Sequence, residues 1–368
     1  MLEKISAAVK SRRAALGVSL RSLAQRSGIP LEKLTDLEHA RPGTSTVELA
    51  RIAEALQVER SALLRGELAE RPLPSVYLRS SATRGQDFFD EDLAVLDRAI
   101  DDARALVELG GLLDAPARRT FKRARPPNRD PAADGHKRAQ QFRAALSNPA
   151  GRLDDMRVVL EEICGVAVVV RKLRSPTPAI AIVTGDAAAV VLNANIARPS
   201  DAVVRVHLAH EACHVVYDPL DGNVHVVREP VDDSSHQRVE QRARAFAAEC
   251  LLPKAGLQQL LGAPRAIEGE HEARQLIARA RSHFGTPWAI AAFHLGNHGY
   301  IASELKESLA NRAPSGPRAD VHTSLPKAGA ASLLLAARTE QAHKAGLVTD
   351  GEARGLLELG LDAALPWA

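Results

Sequence analysis

The segment His210-Glu211-Ala212-Cys213-His214 carries the residues of this chain that are best suited to chemistry. Residues four positions apart lie on one face of a helix, so the imidazoles of His210 and His214 can reach the same metal ion. Glu211 lies beside them, where its carboxylate can accept a proton from a water molecule held at that ion. This H-E-x-x-H spacing is that of zinc proteases. We therefore predict a catalytic metal site with His210 and His214 as ligands and Glu211 as general base.

A third protein ligand is expected, because catalytic zinc usually takes three and leaves one position open for water. The downstream segment 239–253 has four small or apolar residues on its inward face: Ala243, Phe246, Ala247 and Cys250. Glu240 shares that face, and a buried carboxylate is costly without a partner such as a metal ion. Glu240 is therefore the predicted third ligand. Three nearby residues remain as alternatives: Asp218, His225 and His236.

Other residues near the motif are expected to have supporting roles. His207 lies one turn before His210 and is predicted at the rim of the site or behind the ligands. Cys213 points away from both histidines by helix geometry, so it is predicted to be a small core residue. The cysteines are three in number and widely spaced, which argues against a disulfide framework.

Two predicted helices, over residues 200–217 and 237–252, must position the ligands, and Pro253 ends the second one. Before them, short β-branched runs separated by turn residues predict three strands: Val166–Val170, Ala179–Val183 and Ala189–Leu192. A further strand is possible over Asn223–Val227. Residues 136–305 are therefore predicted to form an α+β domain.

The N-terminal residues 1–67 have the pattern of short helices with tight connections. Ser19 is a predicted N-cap, Gly28 ends the helix that follows it, and the next helix runs from Pro30 to His39. These residues are predicted to form an all-α domain, in which a fifth helix begins near Ser61.

Residues 68–135 are a predicted connector, and residues 306–368 are a predicted helical tail. The connector contains an amphipathic helix over Glu91–Leu113. The tail contains helices over Ala330–Arg338 and Glu352–Ala364.

A basic, proline-rich stretch extends from Arg118 to Arg143. Because Pro126, Pro127, Pro131 and Gly135 disfavour regular structure, we expect a solvated, flexible hinge there, without a folded core. Contact with phosphate groups is the alternative role for its positive charges.

The composition excludes several classes of protein. The 48 Lys and Arg against 45 Asp and Glu exclude a strongly basic nucleic-acid coat and a strongly acidic tail. The apolar runs are far shorter than the roughly 18 residues that a membrane helix needs. The N-terminus reaches charged residues at once, so no secretory signal is expected. We therefore expect a cytoplasmic protein with no membrane partner.

Three motifs in this order resemble the ImmA/IrrE metallo-endopeptidases, over about residues 136–305. The motifs are His207-Leu-Ala-His210-Glu211-x-x-His214, then Glu240-x-x-Ala243-x-x-Phe246-Ala-Ala-x-x-Leu251-Leu252-Pro253, then Phe284-Gly-Thr-Pro-x-Ala-x-x-x-x-His-Leu295-Gly-Asn-His-Gly299-Tyr300-Ile301. The resemblance implies a zincin-like fold and Zn²⁺, or alternatively Mn²⁺, held by two histidines and a glutamate. Matching positions are His210, His214 and Glu240, with Glu211 as the base.

The chain departs from the usual pattern of that family at several positions. Cys213 replaces a usual Gly, Arg242 a usual Glu, and His294 a usual Arg. Arg244 replaces an Asn or Asp that supports the metal-binding shell. A cation at position 244 is therefore expected to oppose the metal ion and to weaken its binding.

The N-terminal helices resemble the XRE/Cro–repressor helix-turn-helix family, over about residues 5–64. The matching runs are Arg12-Arg13-Ala-Ala-Leu16-Gly17-Val18-Ser19-Leu20-x-x-Leu23-Ala24-x-x-Ser27-Gly28-Ile29-Pro30, Leu34-Thr35-x-Leu37-Glu38-x-x-Arg41-Pro42 and Leu49-x-x-Ile52-Ala53-x-Ala55-Leu56. In that family the helix after the turn enters the major groove. The predicted DNA contacts are Ser19, Lys33, Thr35 and Arg41.

The recognition helix is unusually acidic for this task. Glu32 and Asp36 would lie near DNA phosphates and repel them, whereas Glu38 is expected to be structural. A helix-turn-helix fold used for protein binding or dimerisation is therefore the alternative, and a homodimer is among the expected partners.

The fold class predicted from these features is multidomain. An all-α helix-turn-helix domain is followed by an α+β zincin-like metallopeptidase domain and a helical C-terminal tail. The predicted function is that of a DNA-associated zinc endopeptidase that cleaves a protein substrate, expected to be a transcriptional repressor. The alternative is a transcription regulator whose metallopeptidase-like domain senses a partner without cleaving it.

Overall fold

The computed structural model describes residues 2–15, 19–56, 58, 63, 90–115, 119–123, 129–184, 187–195, 200–218, 234–313, 323–360 and 363–367. The chain divides into two compact units, one formed by residues 1–74 and 88–98 and the other by residues 75–87 and 99–368. Among the described residues, none of the helices combines the length and the hydropathy that a membrane-spanning segment requires.

The described residues 2–56 of the first unit form four short helices: α1 (Leu2–Ala15), α2 (Leu20–Ser27), α3 (Leu31–Glu38) and α4 (Thr46–Ala55). The Ser19 hydroxyl caps α2 by accepting a hydrogen bond from the Ser22 N–H, as predicted. Gly28 ends α2 with a φ of 66°, a left-handed conformation that glycine adopts without strain. Ile29 and Pro30 separate Gly28 from the start of α3. These short helices with tight connections are compatible with the predicted all-α domain.

The helices of the first unit surround a small aliphatic core that includes Val9, Leu23, Leu37 and Ile52. Arg13 of α1 donates two hydrogen bonds, of 2.6 and 2.9 Å, to the Glu38 carboxylate at the end of α3. Such a bidentate pair fixes both the distance and the orientation of its partners. Glu38 therefore has the structural role predicted for it.

A long helix, α5 (Asp90–Leu112), follows at the position predicted for an amphipathic helix. In the second unit, the predicted strands are present as β1 (Ala167–Arg171), β2 (Ala179–Thr184) and β3 (Ala187–Asn193). The sheet order is β1-β3-β2, with β1 parallel and β2 antiparallel to β3. Every residue of β3 is buried, which explains why the strands have continuous apolar runs instead of alternating patterns.

Helices cover this sheet and carry the candidate site. They are α6 (Pro131–Arg143), α7 (Met156–Val158, continued by a π-helical turn over Val159–Ile163), α8 (Asp201–Tyr217), α9 (Ser234–Leu251), α10 (Lys254–Leu261), α11 (Glu270–Phe284), α12 (Trp288–Asn297) and α13 (Ser303–Asn311). Helix α8 packs on β2 and β3, and α9 packs on both α6 and α8. The second unit is thus a helix-rich structure with a small three-stranded sheet.

The expectation of a solvated hinge over residues 118–143 is wrong for residues 131–143, which form α6. Asp130 caps this helix through the Ala133 N–H, and Pro131 occupies its first turn, where a missing N–H costs nothing. Phe142 is fully buried in the main core. Pro131 therefore marks the start of a helix. Despite its basic composition, the segment 131–143 is a helix of the main core.

The same helix depends on Gly135 for its close packing against α9. A Cβ atom at Gly135 would lie 2.4 Å from the Arg242 carbonyl oxygen and 2.8 Å from the Ala245 Cβ. The glycine therefore allows two helix backbones to approach closely, although its residue type predicts a break in regular structure.

The tail helices are α14 (Leu333–Lys344) and α15 (Asp350–Leu356), shifted from their predicted bounds. Ser332 and Thr349 are the N-caps, and their side chains accept from the Leu335 and Glu352 N–H groups. The predicted C-terminal end at Ala364 is wrong, because Glu358 adopts a φ of 57° just after α15. The strand proposed over 223–227 and the helix near Ser61 lie outside the described residues.

Replacing Gly135 and Gly111 by alanine, each in a separate variant, distinguishes the effect of packing on stability from the effect of helix propensity. We expect Gly135→Ala to lower the free energy of unfolding by about 1–3 kcal/mol, because the methyl group overlaps the α9 backbone. Gly111→Ala, in an exposed part of α5 with open space around it, is expected to raise the free energy of unfolding by about 0.5–1 kcal/mol. Urea unfolding followed by circular dichroism measures both. Equal effects of the two substitutions would contradict the close α6–α9 contact.

Candidate metal centre

Helices α8 and α9 bring together the side chains of His210, His214 and Glu240. The two histidines are one turn apart on α8, and Glu240 is on the facing side of α9, 3% exposed. One potential ligand atom from each of the three residues lies within 4.8 Å of the others. The structure therefore places the third predicted ligand beside the first two, from a separate helix.

The distances between donor atoms suit a single small cation. His210 Nε2 lies 3.1 Å from His214 Nε2 and 3.2 Å from Glu240 Oε2, and His214 Nε2 lies 3.4 Å from Glu240 Oε1. Ligands about 2.0–2.1 Å from a tetrahedral zinc ion are separated by about 3.3 Å. Two imidazoles and a carboxylate are also a donor set that zinc accepts. The residues thus fit a tetrahedral divalent ion with one position left over.

The tautomer of His214 is fixed by Asp218. His214 Nδ1 lies 2.8 Å from Asp218 Oδ2, and a carboxylate can only accept, so Nδ1 carries the proton. The lone pair of His214 is then on Nε2, the atom that faces His210 and Glu240. A histidine that binds a metal ion commonly donates its other N–H to a carboxylate in this way.

Asp218 is itself held by a buried arginine. Arg242, which has no exposed surface, donates from Nη2 to Asp218 Oδ1 and from Nη1 to Asp134 Oδ2 of α6, the latter at 3.3 Å. A continuous chain of charged groups therefore extends from α6 through α9 to His214. The contacts of Asp134 and Arg242 with this chain of groups could not be predicted from the sequence, since nothing in the spacing of these two residues relates them to the motif.

Glu211 is buried on the sheet side of the ligands. One carboxylate oxygen accepts a hydrogen bond from the Ala181 N–H of β2, whereas Oε2 makes no hydrogen bond within the described part of the chain. Burial raises the pKa of Glu211 to about 7. The nearby His214 acts to lower this pKa, whereas the negative charge of Glu240 acts to raise it further. A carboxylate with a raised pKa and one uncommitted oxygen is suited to take up and release a proton.

The other candidates for the third ligand do not join the cluster among the described residues. Asp218 orients His214 instead of facing the ligand atoms, and His225 and the side chain of His236 lie outside the described part. His207 is half-buried and outside the three-ligand group. Cys213 is fully buried in the core, as predicted.

The expectation that Arg244 opposes the metal ion is wrong. Arg244 is exposed on α9, whereas Arg242, two residues earlier, is the buried arginine near the ligands. Two residues along a helix correspond to about 200° of rotation, so the two guanidinium groups leave opposite sides of α9. The positive charge of Arg242 is also neutralised by Asp218 and Asp134.

The four predicted DNA contacts are at the surface of the first unit. Ser19 caps α2, and the Thr35 hydroxyl donates to the Leu31 carbonyl in the preceding turn. The ammonium group of Lys33 lies 2.6 Å from Glu48, and the guanidinium group of Arg41 lies 2.9 Å from Asp36. Both cations would have to exchange an exposed intramolecular ion pair for a DNA phosphate, and such pairs are weak.

Comparison with known proteins supports one part of this arrangement. No curated protein matches the chain. Residues 167–295 match the Peptidase_M78 family model, described as an IrrE N-terminal-like domain. The matched segment begins with β1 and extends into α12, so it contains the sheet and both helices that carry the three candidate ligands. This part of the chain is therefore similar to the ImmA/IrrE family, and the match points to a metallopeptidase.

Proposed function

We propose that the second unit is a zinc-dependent endopeptidase. The observation that carries this proposal is the convergence of His210, His214 and Glu240, with donor atoms 3.1–3.4 Å apart, next to the buried carboxylate of Glu211. A structural metal site would have no need of a neighbouring base, and a catalytic site does. Mn²⁺ is the alternative ion, because carboxylate and imidazole ligands also suit it.

His210, His214 and Glu240 would hold the ion. When bound, a divalent cation supplies Lewis acidity, which lowers the pKa of a coordinated water towards about 7 and polarises a peptide carbonyl. Glu211 accepts the proton of the attacking water and returns it to the nitrogen of the leaving amine. The Ala181 N–H holds one oxygen of Glu211, so that the other is left for the proton.

Asp218 and Arg242 act through His214 in this proposal. Asp218 keeps the Nδ1 proton in place, and Arg242 holds the Asp218 carboxylate in its orientation towards the imidazole. They are positioning residues, since neither belongs to the three-ligand cluster.

The substrate and the DNA association are further parts of the proposal. We infer that the enzyme cleaves a regulatory protein, such as a transcriptional repressor, and that the first unit binds double-stranded DNA as a homodimer. The support is the resemblance of both regions to families with these activities, together with the surface positions of Ser19, Lys33, Thr35 and Arg41.

Replacement of the base separates metal binding from catalysis. We expect Glu211→Gln to retain the zinc held by His210, His214 and Glu240 and to lower the cleavage rate of a proteome-derived peptide library at least about 100-fold, since the amide accepts no proton. Glu272→Gln, at an exposed position on α11, is the matched control and should cleave normally. Cleavage is followed by mass spectrometry and zinc by elemental analysis. Zinc binding without cleavage in the wild-type chain would favour the non-proteolytic regulator.

The two arginines of α9 provide a paired test of the positioning residues. We expect Arg242→Gln to weaken zinc binding by about 10–100-fold, as does loss of other groups that orient a metal-binding histidine. Arg244→Gln, at the exposed position, should leave the affinity unchanged. Competition with a chromophoric chelator gives both dissociation constants, and circular dichroism verifies folding. The opposite ranking of the two variants would show that the Arg242–Asp218–His214 chain does not support the site.

DNA association is tested by salt dependence. We expect the full chain to enrich a specific sequence from a random duplex library, and Lys33→Ala and Arg41→Ala each to reduce the slope of log affinity against log salt by about 1. Arg279→Ala, an exposed substitution in the second unit, controls for a general loss of charge. If no duplex is enriched, or if all variants have equal slopes, the result contradicts DNA binding by the first unit and favours a role in protein binding.

A further inference from the structure

A second group of metal-ligating side chains lies in the second unit, away from the first. It consists of His136 on α6, Glu249 on α9, His294 on α12 and His298 directly after α12. One nitrogen or oxygen of each residue lies within 4.8 Å of the others. Glu249 has no exposed surface and His294 is 1% exposed, while His136 and His298 are partly buried.

The carboxylate of Glu249 is at the centre of this group. Its Oε2 atom lies 3.1 Å from His294 Nε2 and 2.9 Å from His298 Nε2. Its Oε1 atom accepts from the Gln140 amide and the Lys254 backbone N–H. None of these four groups carries a permanent positive charge. The buried guanidinium group of Arg143 attracts Glu249 through space, but it donates to backbone carbonyls such as that of Cys250. A cation or a protonated imidazole would therefore supply the missing direct counter-charge.

The third histidine packs directly on the other two. The ring of His136 stacks on His298 with a centroid distance of 5.3 Å and meets His294 edge-on at 5.4 Å. Three imidazoles in mutual contact repel one another if they are protonated. In agreement with this, burial lowers the pKa of His136 to about 4 and also lowers the pKa of His294. Neutral imidazoles are the form that binds metal ions.

The two ring nitrogens of His294 have different surroundings. Its Nε2 atom lies 2.9 Å from the Leu252 carbonyl oxygen, which can only accept, and 3.1 Å from Glu249 Oε2, so Nε2 carries a proton that these two acceptors share. The lone pair is then on Nδ1, a buried atom that makes no hydrogen bond within the described part of the chain. An ion bound to Nδ1 would leave the Nε2 proton on the Leu252 carbonyl, an arrangement common among metal-binding histidines.

The two groups are separated along α9. Glu240 and Glu249 are nine residues apart, which corresponds to about 13 Å along the helix and about half a turn in direction. Glu240 faces α8, whereas Glu249 faces residues of α6 and α12. The second group therefore does not share its ion with the first.

We propose that His136, Glu249, His294 and His298 form a second, structural metal site that takes a late first-row divalent cation, Zn²⁺ in the first instance. Three imidazoles and one carboxylate provide four protein ligands, the number that closes a tetrahedral structural zinc site and leaves no position for substrate. Binding would draw the donors, now up to 4.8 Å apart, to about 3.3 Å from one another. The ion would then tie α6, α9 and the end of α12 together.

In the sequence, His294 and His298 belong to one motif, in which His294 replaces a usual Arg. His136 lies within residues 118–143, for which the composition predicts a hinge. Only the folded α6 brings His136 to the other three ligands. This combination of three separate segments cannot be recognised from the spacing of the residues.

The test is the zinc stoichiometry of the full chain, measured by isothermal titration and by elemental analysis after dialysis. The wild-type chain should bind two equivalents. His210→Ala/His214→Ala should bind one, and its thermal midpoint should rise on addition of Zn²⁺. His136→Gln/His298→Gln should also bind one, and a variant with all four changes should bind none. His283→Gln, which alters an exposed histidine, should still bind two.

Two results would overturn the proposal. One is a folded His210→Ala/His214→Ala variant that binds no zinc, and the other is an unchanged stoichiometry in His136→Gln/His298→Gln. If His210→Ala/His214→Ala does not fold, the wild-type chain and His136→Gln/His298→Gln are compared alone. The proposal then requires the variant to bind one zinc ion fewer than the wild-type chain. These measurements require no cleavage, so an inactive peptidase would not change them. If the first centre binds no zinc, the wild-type chain and His136→Gln/His298→Gln should bind one equivalent and none, and the difference of one equivalent still tests the second site.

Discussion

The burial of Glu240 against two imidazoles is the interaction on which the candidate centre depends. A carboxylate that is 3% exposed is unfavourable in a protein interior unless positive charge compensates it. Its oxygens lie 3.2 and 3.4 Å from His210 Nε2 and His214 Nε2, which are 3.1 Å from each other. Three electron-pair donors at these distances repel one another unless a proton or a cation lies between them. Helices α8 and α9 therefore pack in an arrangement that a small divalent ion would complete.

The position of α9 is set in turn by α6. Gly135 allows the two backbones to approach, and Asp134 of α6 binds Arg242 of α9, which reaches His214 through Asp218. Packing and electrostatics thus act at the same contact. A change in the α6–α9 distance would alter the orientation of a ligand without touching it. Glu249 of α9 meets His294 and His298, so this helix contributes a carboxylate to both groups of ligating residues.

The sequence predicted those elements whose signals are local. The three strands, α8 and α9 follow from apolar runs, helical spacing and Pro253, and the structure places them close to the predicted bounds. The inward face of α9 also predicted the burial of Glu240, which the structure shows at 3% exposure. These successes share one cause, since each depends on residues within about two helical turns of one another.

The predictions failed where distant segments decide the outcome. Pro131 and Gly135 indicated a hinge by composition, yet Asp130 caps a helix there and Gly135 packs on α9. Arg242 was not recognised as a positioning residue because its partners, Asp134 and Asp218, come from other segments. The error over Arg244 has the same origin, because which of two neighbouring arginines turns inward depends on the packing partner of the helix.

The most direct measurement is a crystal structure of the chain grown with Zn²⁺, with diffraction data collected on both sides of the zinc absorption edge. An anomalous difference peak about 2.0–2.2 Å from His210 Nε2, His214 Nε2 and a carboxylate oxygen of Glu240 is the predicted result. The absence of that peak in crystals that contain zinc elsewhere, with Glu240 turned away from the imidazoles, would contradict the central claim.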